Sequence, residues 1–267
     1  MTPRMIRTLL VSLGLIGAVA GPLWATRVAI QDGMGSTVQV YQESHALLIG
    51  VSQYRDWKDL LGVAEDVTVV KELLEAQGFH VVLVMNPADK AALHKAFNDF
   101  IEQYGYGPEN RLLFYFAGHG KTLDAAYGGK MGYIVAANAP SSSDEVGFKR
   151  HALDMAMIEV YAKQIQAKHA LFLFDSCFSG TLFTVSRGEA ELISYKTANP
   201  VRQFITAGSE DEQVPDRSIF RRQLVTASQR EGDLNRDGYV SGGELGLFLM
   251  AGISKPHGSR AGAGAGV

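Results

Sequence analysis

The sequence predicts an α/β fold, a three-layer sandwich with a mostly parallel central sheet and helices on both faces. Three observations predict it. Apolar runs of five to seven residues recur along the chain, and they are apolar throughout rather than alternating with polar residues. Amphipathic helical patterns, not two-residue turns, separate most of them. Strands of that kind joined by single helices imply right-handed βαβ units and a sheet buried on both faces. With 46% hydrophobic and 20% charged residues, the chain has enough apolar material for such a core.

The elements follow in order. HALLIGV (45–51) reads as a buried strand. AEDVTVVKELLEAQG (64–78) places Val67, Val70, Leu73 and Leu74 at helical spacing, with acids in its first turn and a glycine stop. HVVLVM (80–85) is the second strand, and PADKAALHKAFNDFIEQYG (87–105) the second amphipathic helix. RLLFYF (111–116) is a third strand. YIVAA (133–137), after the Gly-rich YGGKMG, is a further short one. DMAMIEVYAKQIQAK (154–168) predicts a helix, ALFLF (170–174) and VRQFITA (201–207) two strands, SIFRRQLVTASQRE (218–231) a helix, and GELGLFLMAG a further helix after the late Asp/Asn/Gly stretch. No internal repeat or coiled coil is present. Residues 45–254 read as one domain, 26–44 as a polar linker and 255–267 as a low-complexity, disordered tail.

The first 25 residues differ from the rest. Arg4 and Arg7 precede TLLVSLGLIGAVAG, and small residues follow at Ala18, Ala20 and Ala25. A basic start, a short apolar centre and a small-residue exit describe a secretory signal peptide; left uncleaved, the segment is a membrane anchor. Both readings export the remainder, as a periplasmic, secreted or membrane-anchored protein. A net charge of −3 gives no footprint for nucleic acid, so no nucleic-acid partner is expected. A single cysteine excludes an internal disulfide.

That cysteine, Cys177, stands just past an apolar run, in FDSCFSG, and His119 stands just past another, in FAGHG. In a parallel sheet both strand tips emerge on one edge, where sites collect. A thiolate is a nucleophile, and an imidazole beside it takes the thiol proton and returns it to a leaving amine. The flanking glycines let backbone N–H groups approach a substrate carbonyl. The plainer readings are a small core cysteine and a capping histidine. His45, His80 and His169, all at strand starts, receive the plain reading.

Taken together, HALLIGVSQY, LLGVAEDV, RLLFYFAGHG and ALFLFDSCFSG resemble the caspase-like cysteine peptidases, specifically their bacterial metacaspase-like branch, over residues 45–250 and in the family's order. The resemblance implies a caspase-like fold and a protein or peptide substrate hydrolysed through a thioester acyl-enzyme. His119 would be the general base and Cys177 the nucleophile, with the N–H groups of Gly120 and Cys177 as the oxyanion hole. No obligatory third carboxylate and no cofactor belong to that chemistry.

Caspases proper cleave after Asp with basic pocket residues; metacaspases cleave after Arg or Lys with acidic ones. Asp175, two residues before Cys177, and Asp66, in LLGVAED, would make an acidic floor for a P1 cation. The plainer roles are a first-turn acid for Asp66 and a turn cap for Asp175. TLFTVSRGEAELISYKTANP is long for a strand-to-strand connection; Arg187 and Lys196 in it would suit self-cleavage, and an uncut binding loop is the plainer alternative.

A separate motif lies at 233–244. DLNRDGYVSGGE matches the EF-hand loop, with Asp233, Asn235 and Asp237 as side-chain ligands, the Tyr239 carbonyl, Ser241 through water and Glu244 bidentate, around a turn at Gly238. Ca²⁺ is therefore the one ion the sequence suggests, although EF-hands usually occur in pairs and such a stretch is also ordinary turn punctuation. The acidic cluster through which metacaspases use calcium is absent from DSCFSGTLFTVSRG. Beside the peptidase reading stand two others: a catalytically silent caspase-like regulatory module, and a calcium-responsive binding protein.

Overall fold

The computed structural model describes residues 27–31, 36–126, 128–177, 201–208 and 218–253. The expected signal segment (1–25), the tail (255–267), Arg187 and Lys196 lie outside the described residues. Part of the stretch read as a linker is structured. β1 (Val28–Gln31) and β2 (Thr37–Tyr41) pair antiparallel. The hairpin is tied to the sheet by bonds of 2.8 Å from Gln39 to Glu109, from Lys168 to Gln39 and between Tyr41 and His169. Its strands are too short and too polar for an apolar-run reading to find them.

The remaining elements are β3 (Glu43–Gly50), α1 (Gly62–Ala76), β4 (His80–Met85), α2 (Lys90–Tyr104), β5 (Asn110–Ala117), β6 (Gly120–Asp124), β7 (Lys130–Ile134), α3 (Glu145–His151), β8 (Leu153–Asp154), α4 (Ala156–Gln164), β9 (His169–Cys177), β10 (Val201–Gly208), α5 (Ile219–Thr226) and α6 (Gly242–Ile253). A π-helical turn, Ala227–Glu231, continues α5. The main sheet has the order β10-β9-β5-β3-β4, with every neighbouring pair parallel.

Side-chain alternation along the strands feeds two cores. Leu47, Ile49, Leu112, Phe114, Phe116, Phe172 and Phe174 point to one face, against Leu93, Phe97 and Phe100 of α2 and Ile158 and Tyr161 of α4. Ala46, Leu48, Leu113, Tyr115 and Leu173 point to the other, against Val67 and Val70 of α1, Phe220 and Leu224 of α5 and Leu249 of α6. Both faces are covered, as a parallel sheet requires.

Three boundaries depart from expectation for local reasons. The strand expected at 133–137 is β7, displaced toward its N-terminus, and it joins β6 and β8 in a separate antiparallel sheet. The chain reverses there through Gly128 and Gly129, both at positive φ, so this Gly-rich stretch makes a hairpin turn rather than a crossover. The helix expected to reach 168 stops at Gln164, where the Arg202 guanidinium takes the carbonyls of Ala162 and Ile165. A short helix, α3, went unread; its signal was SSSDE, in which Asp144 caps the Gly147 N–H. Among the described residues no helix is long and apolar enough to cross a membrane.

Candidate active site

The tips of β5 and β9 remain joined beyond their ladder. Ala117 is the register partner of Asp175. Past that pair, the Ser176 hydroxyl donates to the Gly118 carbonyl at 2.7 Å, fully buried. The next residue on one strand is His119 and on the other Cys177, the last residue of β9. Gly118 is required at this junction: a Cβ there would lie 2.7 Å from the Tyr54 hydroxyl oxygen. That oxygen accepts the His119 backbone N–H at 2.7 Å, so the glycine lets Tyr54 brace the turn.

The imidazole of His119 lies beside the rings of Tyr54 and Trp57, with centroids 4.7 and 5.5 Å away. Trp57 is itself fixed by donation from its indole N–H to the Pro140 carbonyl at 3.0 Å. His119 Nε2 lies 2.8 Å from the backbone carbonyl of Lys58. A carbonyl only accepts, so Nε2 carries the proton and Nδ1 is the free basic nitrogen of the neutral ring. Burial lowers the His119 pKa below the ordinary histidine value, opposed by the Lys58 carbonyl and aided by the Lys58 charge. A neutral imidazole with one free nitrogen is the form a general base needs.

The two acids predicted for a pocket floor are brought together on the α1–α5 face. Asp66 is not a first-turn acid of α1, the position held by Glu65; it continues the buried stripe Val63, Asp66, Val67, Val70 and Leu74. Alternation puts Asp175 beside it, on the same face as Leu173. Both are nearly sealed, with 4% and 5% of their surface exposed. Buried carboxylates need partners, and the N-terminus of α5 supplies them. Arg221 Nε donates to Asp66 at 2.7 Å. The hydroxyls of Tyr115 and Ser218 both donate to Asp175 Oδ2. Ser218 is also the N-cap of α5, accepting the Arg221 N–H. Burial raises the pKa of both acids, that of Asp175 to about 6; Arg221 pulls the other way on each.

Gly120 opens β6 opposite Ile134, directly after His119, whose carbonyl accepts the Val135 N–H. The EF-hand-like loop lies apart, between the π-helical turn and α6. Its side chains bond to its own backbone. Asp233 accepts N–H groups from Asp237 and Gly238, Asp237 accepts from Tyr239, and Asn235 reaches Asp237. Glu244, 3% exposed, accepts from the Asn235 N–H and from both the N–H and hydroxyl of Ser241. Gly238, at φ 91°, makes the sharp turn. The oxygen types suit calcium, yet among the described residues no three His, Cys, Asp or Glu side chains converge on one point.

Sequence reasoning did not identify Lys58, Tyr54, Trp57 or Arg221. Lys58 acts through a carbonyl that every residue type carries, so no signal marked it. Arg221 left none either: it is one of two adjacent arginines in SIFRRQLV, and the sequence does not say which of them turns toward the acids.

A parallel sheet clothed by helices on both faces, with a Gly-flanked histidine and a cysteine at adjoining strand tips, defines a caspase-like architecture. The sequence model of the peptidase C14 caspase domain matches residues 43–239, from the first residue of β3 into the late loop. The chain belongs to that family of cysteine peptidases. No match was found among curated proteins.

Proposed function

We propose that the chain is a cysteine endopeptidase of the metacaspase-like kind, cleaving after Arg or Lys through Cys177 and His119. The observation that supports this reading is the Ser176–Gly118 bond, which joins the two strand ends one residue before Cys177 and His119. His119 Nδ1 takes the Cys177 thiol proton, and the thiolate adds to the scissile carbonyl. N–H groups of Gly120 and Cys177 bind the oxyanion that forms. Collapse expels the amine, protonated by His119, and leaves a thioester; water, deprotonated by the same imidazole, adds to the thioester and releases the acid and the thiol. Asp66 and Asp175 form the floor that selects a basic P1 side chain. The protein would act outside the cytoplasm or tethered to a membrane by its first segment, with self-cleavage at Arg187 or Lys196 as its maturation step.

The test is a fluorogenic scan of P1 residues on the wild type and on Cys177→Ala. Wild type is expected to cleave after Arg and Lys and to ignore Asp. Cys177→Ala is expected to lose all hydrolysis with its thermal midpoint nearly unchanged. Activity retained in Cys177→Ala would end the dyad assignment, since the chain has no other thiol. Preference for Asp at P1 would end the pocket assignment alone.

A further inference from the structure

The acidic floor already has a cation, supplied by the chain itself. Arg221 Nε lies 2.7 Å from Asp66 Oδ1, and the pair's side chains are 13% and 6% exposed. Its position is built rather than incidental. Ser218 caps α5, bonds the Arg221 N–H at 2.9 Å and donates its own proton to Asp175. One helix start thereby touches both acids. The adjacent Arg222 is exposed, so of the two arginines only the one at position 221 is aimed inward. Phe220 and Leu224, 1% and 6% exposed, fix the rotation of α5.

We propose that Arg221 is a specificity-determining residue that competes with the substrate's P1 cation for Asp66. A guanidinium or ammonium entering the pocket meets one carboxylate already neutralised and a like charge beside it. Binding therefore requires Arg221 to withdraw, which weakens the hold on every P1 cation and leaves untouched a neutral side chain, which makes no claim on Asp66. This inference rests on reading Asp66 and Asp175 as the pocket floor.

The experiment compares wild type with Arg221→Gln, which keeps an N–H donor for Asp66 but removes the charge. Peptides identical except for Arg, Lys or norleucine at P1 are used, and a thermal melt verifies each fold. Loss of one charge-assisted competitor is expected to raise kcat/KM for Arg and Lys about tenfold, mainly through KM, with norleucine unchanged. Arg221→Lys, with a point charge in place of the planar fork, is expected to show a smaller gain and serves if the glutamine variant does not fold. An unchanged Arg-to-norleucine ratio in a folded variant would overturn the proposal. Calorimetric titration with benzamidine reads the pocket without turnover. Tighter binding to Arg221→Gln, in a protein that cleaves nothing, would uphold the competitor while removing the peptidase reading. Equal binding, or none to either protein, would overturn the competitor itself.

Discussion

His119 has two nitrogens and only one of them is available. The Lys58 carbonyl holds Nε2 as a donor, so a second proton must enter at Nδ1, and burial opposes that charge. The folded-state pKa therefore lies below the ordinary 6.5. It follows that kcat/KM of the free enzyme rises with pH along a limb centred below 6.5 and is level above it. A limb centred at or above 6.5 would mean that another group controls the rate. His119→Ala is expected to reduce kcat by about 10²–10⁴-fold, the usual contribution of a general base. The adjoining strand exits were legible in the sequence, because each follows an apolar run and precedes a glycine-flanked turn. The carbonyl that fixes the tautomer was not legible, since it belongs to a backbone that any residue shares. Arg221 was equally silent, because a sequence shows an arginine in a helix but not which buried acid it meets 155 positions away.

At the scale of elements, apolar runs located all five strands of the main sheet, because strands buried on both faces leave no other composition open to them. Element ends were less legible wherever a distant side chain sets them, as Arg202 does for α4. The EF-hand-like loop reads as a calcium site, and its carboxylates accept its own N–H groups. A loop that closes on its own bonds should not need a metal to fold, so a chelator is expected to leave the thermal midpoint unchanged. We propose that calcium binds only after Glu244 and Asp237 turn from those N–H groups, which puts the affinity at about 10⁻⁴–10⁻³ M, the range of extracellular modules. Millimolar calcium should then raise the midpoint, and Glu244→Gln should abolish the rise. Titration heat and midpoint are measured together on the Cys177→Ala protein, so that the proposed self-cleavage does not intervene. No response at 10 mM calcium, roughly tenfold above that range, would make the loop a structural turn.

For the whole molecule, buried titratable groups pull stability in opposite directions across the acid range. His45, His94 and His119 have pKa values lowered by burial, so the unfolded chain binds more protons and stability falls as pH drops below 6.5. Asp66 and Asp175 are raised, so the folded chain binds more protons, and stability is lost as pH climbs, for Asp175 between 3.8 and about 6. A fold would be more stable at neutral pH without a charge at position 175. A charge at that position is what the proposed cation-selecting role needs, and stability and site chemistry commonly conflict. The conflict is measurable. Asp175→Asn keeps an oxygen to accept from Tyr115 and Ser218 but carries no charge at any pH. Its stability relative to wild type should therefore increase from pH 4 to pH 7, by about 3 kcal/mol for a shift of about 2 pKa units. The slope of that difference is the diagnostic, because any constant cost of the new amide cancels from it. Denaturant melts of both proteins across this range, run on the Cys177→Ala background, give the slope directly. A flat difference would show that Asp175 is not held protonated by its burial, and the tension between fold and pocket would have to be assigned to Asp66 and Arg221 alone.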